Sequence, residues 1–152
     1  MNYIYRTIEL FTILPSSMSM SELFFYYLPF ALILVAIFCK KISTVNTLVA
    51  ITGIYMLIIG IYMYNSAIPE SILSSSNSHA SLGMVIVLSM HKDYNTLISF
   101  LMLLTLIFKG IRLKKISNKY TILNFILIGI VFLIPFMLEP LIKYVWDHRN
   151  LG

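Results

Sequence analysis

Lys109-Gly-Ile-Arg-Leu-Lys-Lys-Ile-Ser-Asn-Lys119 holds five of the eleven Lys and Arg residues of the chain within eleven positions. A long apolar run stands on each side of it. Positive charge between two apolar runs is retained on the cytoplasmic side of a membrane, so this stretch sets the orientation of everything around it.

The composition agrees. Of the 152 residues 59% are hydrophobic and 11% charged, against about 45–50% and about 25% in soluble domains. A water-soluble fold of this length has too little interior to hide that much apolar surface, whereas in lipid the outside of the fold is apolar too. The net charge of +5 is confined to short stretches flanking apolar runs, which argues against nucleic acid as a partner. Cys39 stands alone, so no disulfide forms within the chain.

Four runs read as spans: 23–39, 44–64, 94–113 and 120–138. The chain is therefore expected to be one all-α transmembrane domain over 1–152, an integral membrane four-helix bundle. Residues 3–14 are too short to cross a ~30 Å core, which takes roughly 20 residues, and read as a surface arm. Ser19 and Glu22 have capping-box spacing at the start of the first span. Ala80 to Met90 is an apolar stretch of subcritical length that fits a re-entrant helix or the start of a long third span, but reads in preference as a short outer-face helix because His91-Lys-Asp93 follows it. Glu139-Pro140 reads as the end of the fourth span, because proline removes a helix donor. Lys109 and Arg112 are expected to snorkel outward.

The charges order the spans. The stretch at 40–43 carries +2 and that at 109–119 carries +5, while the N-terminal arm, the 65–93 segment and the tail carry −1, −1 and 0. An even number of spans puts both basic stretches on one side. This predicts cytoplasmic loops at 40–43 and 109–119, with both termini outside. The expected location is a prokaryotic plasma membrane.

Inside the second span Ala50, Gly53 and Gly60 fall near one face, where small residues let another helix approach closely. Thr52, Ser99, Thr105 and Asn124 are polar groups at depth, for which interhelical hydrogen bonds are expected. His79, His91 and His148 all fall on the outer side, and are the candidate metal ligands. With Met84, Met90, Asp93, Glu139 and Asp147 nearby in sequence, imidazole and thioether would suit copper, and imidazole and carboxylate zinc. Haem would want histidines within facing spans. The spacing forms no metal motif, and no cofactor is expected. Gly-x-Ser-x-Gly, His-Glu-x-x-His and a phosphate-binding glycine loop are all absent.

Leu23-Phe-Phe-Tyr-Tyr-Leu-Pro-Phe-Ala-Leu32, His91 and Tyr144 to His148 resemble an uncharacterised family of small prokaryotic four-helix membrane proteins. That family has Pro-x-Ala-Leu in its first span, a histidine before its third, and a Tyr-x-x-x-His type of tail. Leu28 stands where the family has histidine, and Arg149 where it has glycine. The resemblance implies the four-helix fold and no particular reaction.

The functional expectation is a non-catalytic accessory subunit of a larger membrane complex, respiratory or redox in kind, partnered by lipids and other integral membrane subunits. The alternatives are an outer-face histidine metal- or haem-linked electron carrier and an oligomeric small transporter or channel. The topology is directly testable. In a Cys39→Ser background, Ser117→Cys should resist a membrane-impermeant maleimide added outside and Ser76→Cys should react. Outside labelling at 117 would refute the orientation.

Overall fold

The computed structural model describes residues 20–67 and 78–149. Among these the chain forms four α-helices and no strand: α1 (Met20–Phe38), α2 (Ile42–Ala67), α3 (Ser78–Arg112) and α4 (Lys119–Arg149). Three helices contain stretches long and apolar enough to cross a membrane, at Ile42–Tyr62, His91–Arg112 and Lys119–Leu138, and α1 contributes a shorter apolar stretch, Leu23–Phe38. The chain is a membrane protein built as a helical bundle. The N-terminal arm and the Ser19 cap lie outside the described residues.

Buried positions recur at alternating steps of three and four. They fall at 26, 29, 33 and 36 on α1, at 95, 98, 102, 105 and 109 on α3, and at 121, 124, 128, 131 and 135 on α4. This 3.5-residue period is that of left-handed helix packing. Apolar residues cannot reveal it, because the outward faces are apolar too: Ile51, Ile54, Ile58 and Ile61 are exposed on α2. Polar residues do mark it, since Asn46, Thr52, Asn95, Ser99, Thr105, Thr121 and Asn124 are all buried. Each of α2 and α3 packs on the other three helices, with α1 and α4 on either side of that central pair.

Cross-helix hydrogen bonds set the directions. Lys109 near the end of α3 meets Cys39 just after α1, and Asn46 early in α2 meets Thr121 early in α4. The connections at 39–41 and 113–118 therefore share one end of the bundle, which gathers Lys40, Lys41, Lys109, Arg112, Lys114, Lys115 and Lys119. Helices run up, down, up, down, so α2 and α4 are parallel neighbours.

Two boundaries depart from the sequence reading. No short outer-face helix exists at 80–90, because α3 runs unbroken from Ser78 to Arg112. His91-Lys-Asp93 contains no helix breaker, and the bundle accommodates its polarity: the Lys92 ammonium lies 4.5 Å from the centre of the Phe136 ring on α4. Nor does Glu139-Pro140 end α4, which continues to Arg149 with Pro135 and Pro140 inside it. Membrane helices tolerate interior proline where neighbours satisfy the carbonyl it frees.

Two prolines show how that is done. Pro29 cannot bond the Phe25 carbonyl four residues back; the Tyr55 hydroxyl of α2 donates to that oxygen at 2.7 Å. Pro135 likewise cannot bond Val131, and the Asn95 amide of α3 donates to the Val131 carbonyl at 3.3 Å. Beside Pro29, Tyr94 donates its hydroxyl to the Tyr26 carbonyl and stacks on the Tyr26 ring at 4.8 Å.

The turn after α3 closes by two backbone bonds, Lys114 N to Ile111 O and Lys115 N to Gly110 O. This is the Schellman pattern. Its left-handed residue is Lys114, with φ of 52°. Ile116 folds back onto Gly110, leaving a Cβ there only 3.1 Å from Ile116 Cγ1. Asn118 then caps α4, its Oδ1 accepting from Tyr120 N at 3.0 Å.

The proline pairing predicts a coupling. Tyr55→Phe should lower stability by about 1 kcal/mol. In a Pro29→Ala background the same change should cost much less, because an alanine N–H reaches the Phe25 carbonyl unaided. Equal losses in the two backgrounds, measured by unfolding in mixed micelles, would refute the pairing.

Candidate functional site

The polar residues of the interior gather at two levels. At the basic end Asn46, Thr121 and Asn124 join α2 to α4. The Asn46 amide donates to Thr121 Oγ1 at 3.1 Å, and the Asn124 amide donates to the Asn46 carbonyl at 2.9 Å. The Asn124 amide also reaches Asn46 Oδ1 at 3.3 Å, and the Thr121 hydroxyl donates to the same oxygen at 3.3 Å.

Lys109 belongs to this end as well. It does not snorkel to the surface: it is 5% exposed and its ammonium donates to the Cys39 carbonyl at 2.8 Å. That carbonyl is among the last of α1, where the helix dipole is negative and unpaired oxygens remain. A cation there satisfies an acceptor and opposes the dipole together, which is why the side chain turns inward. Arg112, one turn on, is exposed.

Between the first turns of α2 and α4 lies an open cavity of about 950 Å³. Lys40, Lys41 and Lys115 stand on its lining beside Ser43 and Asn118. Further along the two helices the lining becomes Ala50, Leu123 and Leu127. The site thus has basic and polar groups at the bundle end and apolar groups toward the middle.

The second level lies on α3. His91, Asn95 and Ser99 succeed one another at four-residue intervals and share a face. Among the described residues, His91 Nε2, Asn95 Oδ1 and Ser99 Oγ are buried atoms without a hydrogen-bond partner. Asn95 and Ser99 are 1% and 2% exposed, so water does not reach them from outside.

The sequence candidates map unevenly onto these levels. His79 and His91 lie on one helix, twelve residues apart, which is roughly 18 Å of rise, so the fold does not bring them together. His148 is in the final turn of α4. Among the described residues no three His, Cys, Asp or Glu side chains group to hold a metal ion. Of the polar groups expected to bond between helices, Asn124 does so. Thr52 and Thr105 instead bond carbonyls of their own helices, Leu48 at 2.9 Å and Leu101 at 2.8 Å. A hydroxyl four residues from a carbonyl has that partner already in reach. The sequence reading misses Asn46, Asn95 and Thr121, whose signal is polar character within otherwise apolar helices.

The small residues of α2 lie toward α4. A Cβ on Gly53 would come within 2.6 Å of Leu127 Cδ2, and one on Gly60 within 3.6 Å of Ile134 Cγ2 and 3.7 Å of His91 Nε2. Ala50 borders the cavity.

Comparison with protein-family models, curated proteins and solved structures finds no match to this chain.

The close approach at Gly53 carries a prediction. Gly53→Leu should destabilise the bundle by about 1–3 kcal/mol through overpacking. Leu127→Ala should recover a good part of that loss when combined with it, because it vacates the contested space. A Gly53→Leu protein as stable as the parent would show that this approach is not tight.

Proposed function

We propose that the chain is a non-catalytic subunit of a larger membrane assembly of respiratory or redox type. In this reading all four helices cross a prokaryotic plasma membrane, with the basic end cytoplasmic and both termini outside. The orientation is supported by the concentration of seven Lys and Arg residues in and beside the two connections at one end.

The observation that carries the reading is α1. Its apolar stretch, Leu23–Phe38, covers roughly 24 Å along its axis, less than the ~30 Å hydrocarbon core. A short span is accommodated by thinning the bilayer, or by packing against further protein. The outer surface of α1 is correspondingly large and aromatic: Phe24, Phe25 and Phe38 are 63%, 54% and 76% exposed. An integral membrane partner covering this face would bury those rings and shield the short helix.

A photo-cross-linking residue at Phe24, used in native membranes, tests this. It should give a discrete adduct with a second integral membrane protein, whereas the same probe at Ile126 on the outside of α4 should give lipid adducts. Lipid adducts alone from position 24 would overturn the proposal. One observation favours a second reading, an oligomeric transporter: the unpartnered atoms of His91, Asn95 and Ser99 could receive a small polar solute within the bundle. Solute or proton flux through liposomes holding this chain alone, lost in Asn95→Leu, would support that reading instead.

A further inference from the structure

The cavity between α2 and α4 changes character along its length. Among the described residues its lining at the bundle end contains Lys40, Lys41 and Lys115, and no acidic side chain. These three residues are exposed and border the cavity from both connections of that end. Ala50 lies eight residues into α2 from Ile42, and Leu127 eight residues into α4 from Lys119. The lining therefore runs roughly 12 Å from the basic end toward the middle of the bundle. Its deeper part is alkyl, and Leu123 on its wall is 57% exposed.

We propose that this cavity is a binding site for one anionic phospholipid of the adjoining leaflet. The headgroup phosphate sits among Lys40, Lys41 and Lys115, with Ser43 and Asn118 as polar neighbours. One acyl chain lies along Ala50, Leu123 and Leu127. Basic pockets between membrane helices at the headgroup level suit anionic lipids. The chemistry also separates lipid classes. A zwitterionic lipid would bring a cationic ammonium to a lining that offers no carboxylate and already holds three cations. A free phosphate would leave the alkyl part of the cavity without a partner, although about 950 Å³ is available. The assignment does not depend on which way the basic end faces.

The interior hydrogen bonds make the cavity a fixed shape. Asn46 and Asn124, both on its lining, are bonded to each other across α2 and α4, which holds the two walls at a set spacing. The lysines are separate from that join, so their charge can be removed without cutting it.

Lipid retention by the purified full chain tests the proposal, by native mass spectrometry with competing phosphatidylglycerol and phosphatidylcholine. Phosphatidylglycerol should be retained in preference. A combined Lys40→Gln, Lys41→Gln, Lys115→Gln variant should keep the parent unfolding midpoint in plain detergent. Its phosphatidylglycerol affinity should fall roughly a hundredfold, about fivefold for each lysine. Leu123→Trp, which narrows the alkyl part at an exposed position, should weaken lipid retention with the rim charge intact. Equal retention of the two lipids, an unchanged affinity in the triple variant, or full competition by millimolar inorganic phosphate would each overturn the assignment.

Discussion

Inside a hydrocarbon layer a backbone carbonyl without a donor has no water to turn to, and each such group costs several kcal/mol. The arrangement of this bundle follows from where its carbonyls are left unpaired. Pro29 frees the Phe25 oxygen, Pro135 frees the Val131 oxygen, and the end of α1 leaves that of Cys39. Each is received by a side chain from a central helix: Tyr55 of α2, Asn95 of α3 and Lys109 of α3. In these three bonds the acceptors belong to α1 and α4 or the end of α1, and the donors to the inner pair. A slide of α1 or α4 by one residue would part them, so these bonds fix vertical register in a way that greasy side chains cannot.

The polar interior and apolar exterior of the chain reverse the usual arrangement for the same reason. Lipid tails are as apolar as isoleucine, so burying Ile51 or Ile58 would gain little over leaving them outside. Asn46, Thr121 and Asn124 gain by being inside, where they find one another. Small residues do the remaining work of bringing helices together. Gly53 admits Leu127 so closely that a single added carbon would collide with it. The dispersion attraction between such fixed, closely packed atoms has no equivalent against fluid lipid.

Much of this is legible in the sequence. The basic stretch 109–119 and the apolar runs around it point to the bundle and to the common end of both connections. The errors arise where rules for soluble helices are applied to a membrane. Glu139-Pro140 resembles a terminus because proline ends helices in water, yet α4 passes through two prolines. His91-Lys-Asp93 resembles the end of a short helix because it breaks the apolar run, yet Lys92 finds the face of Phe136. The partners of the prolines are beyond reach, since Tyr55 is 30 residues from Phe25 and Asn95 is 36 from Val131. The cavity is illegible for a similar reason: Lys40 and Lys115 border one cavity only because α2 and α4 are parallel neighbours. The polar residues set within the apolar helices are a signal in the chain that points to its buried faces.

The two polar levels differ in completeness, and the difference bears on function. At the basic end the asparagines and Thr121 are bonded across helices, and Lys109 has an acceptor. On α3 the Asn95 amide is engaged by Val131 while its oxygen is not, and neither Ser99 Oγ nor His91 Nε2 has a partner among the described residues. Leaving a buried polar atom unpaired costs about 1–3 kcal/mol. Three on one helical face exceed what register alone requires, since the Asn95 bond to Val131 already sets it. An isosteric apolar residue at Ser99 would remove one such cost without cutting a bond between helices among the described residues. The retained hydroxyl, with the imidazole and amide above it, makes this face of α3 the part of the interior that helix packing explains least.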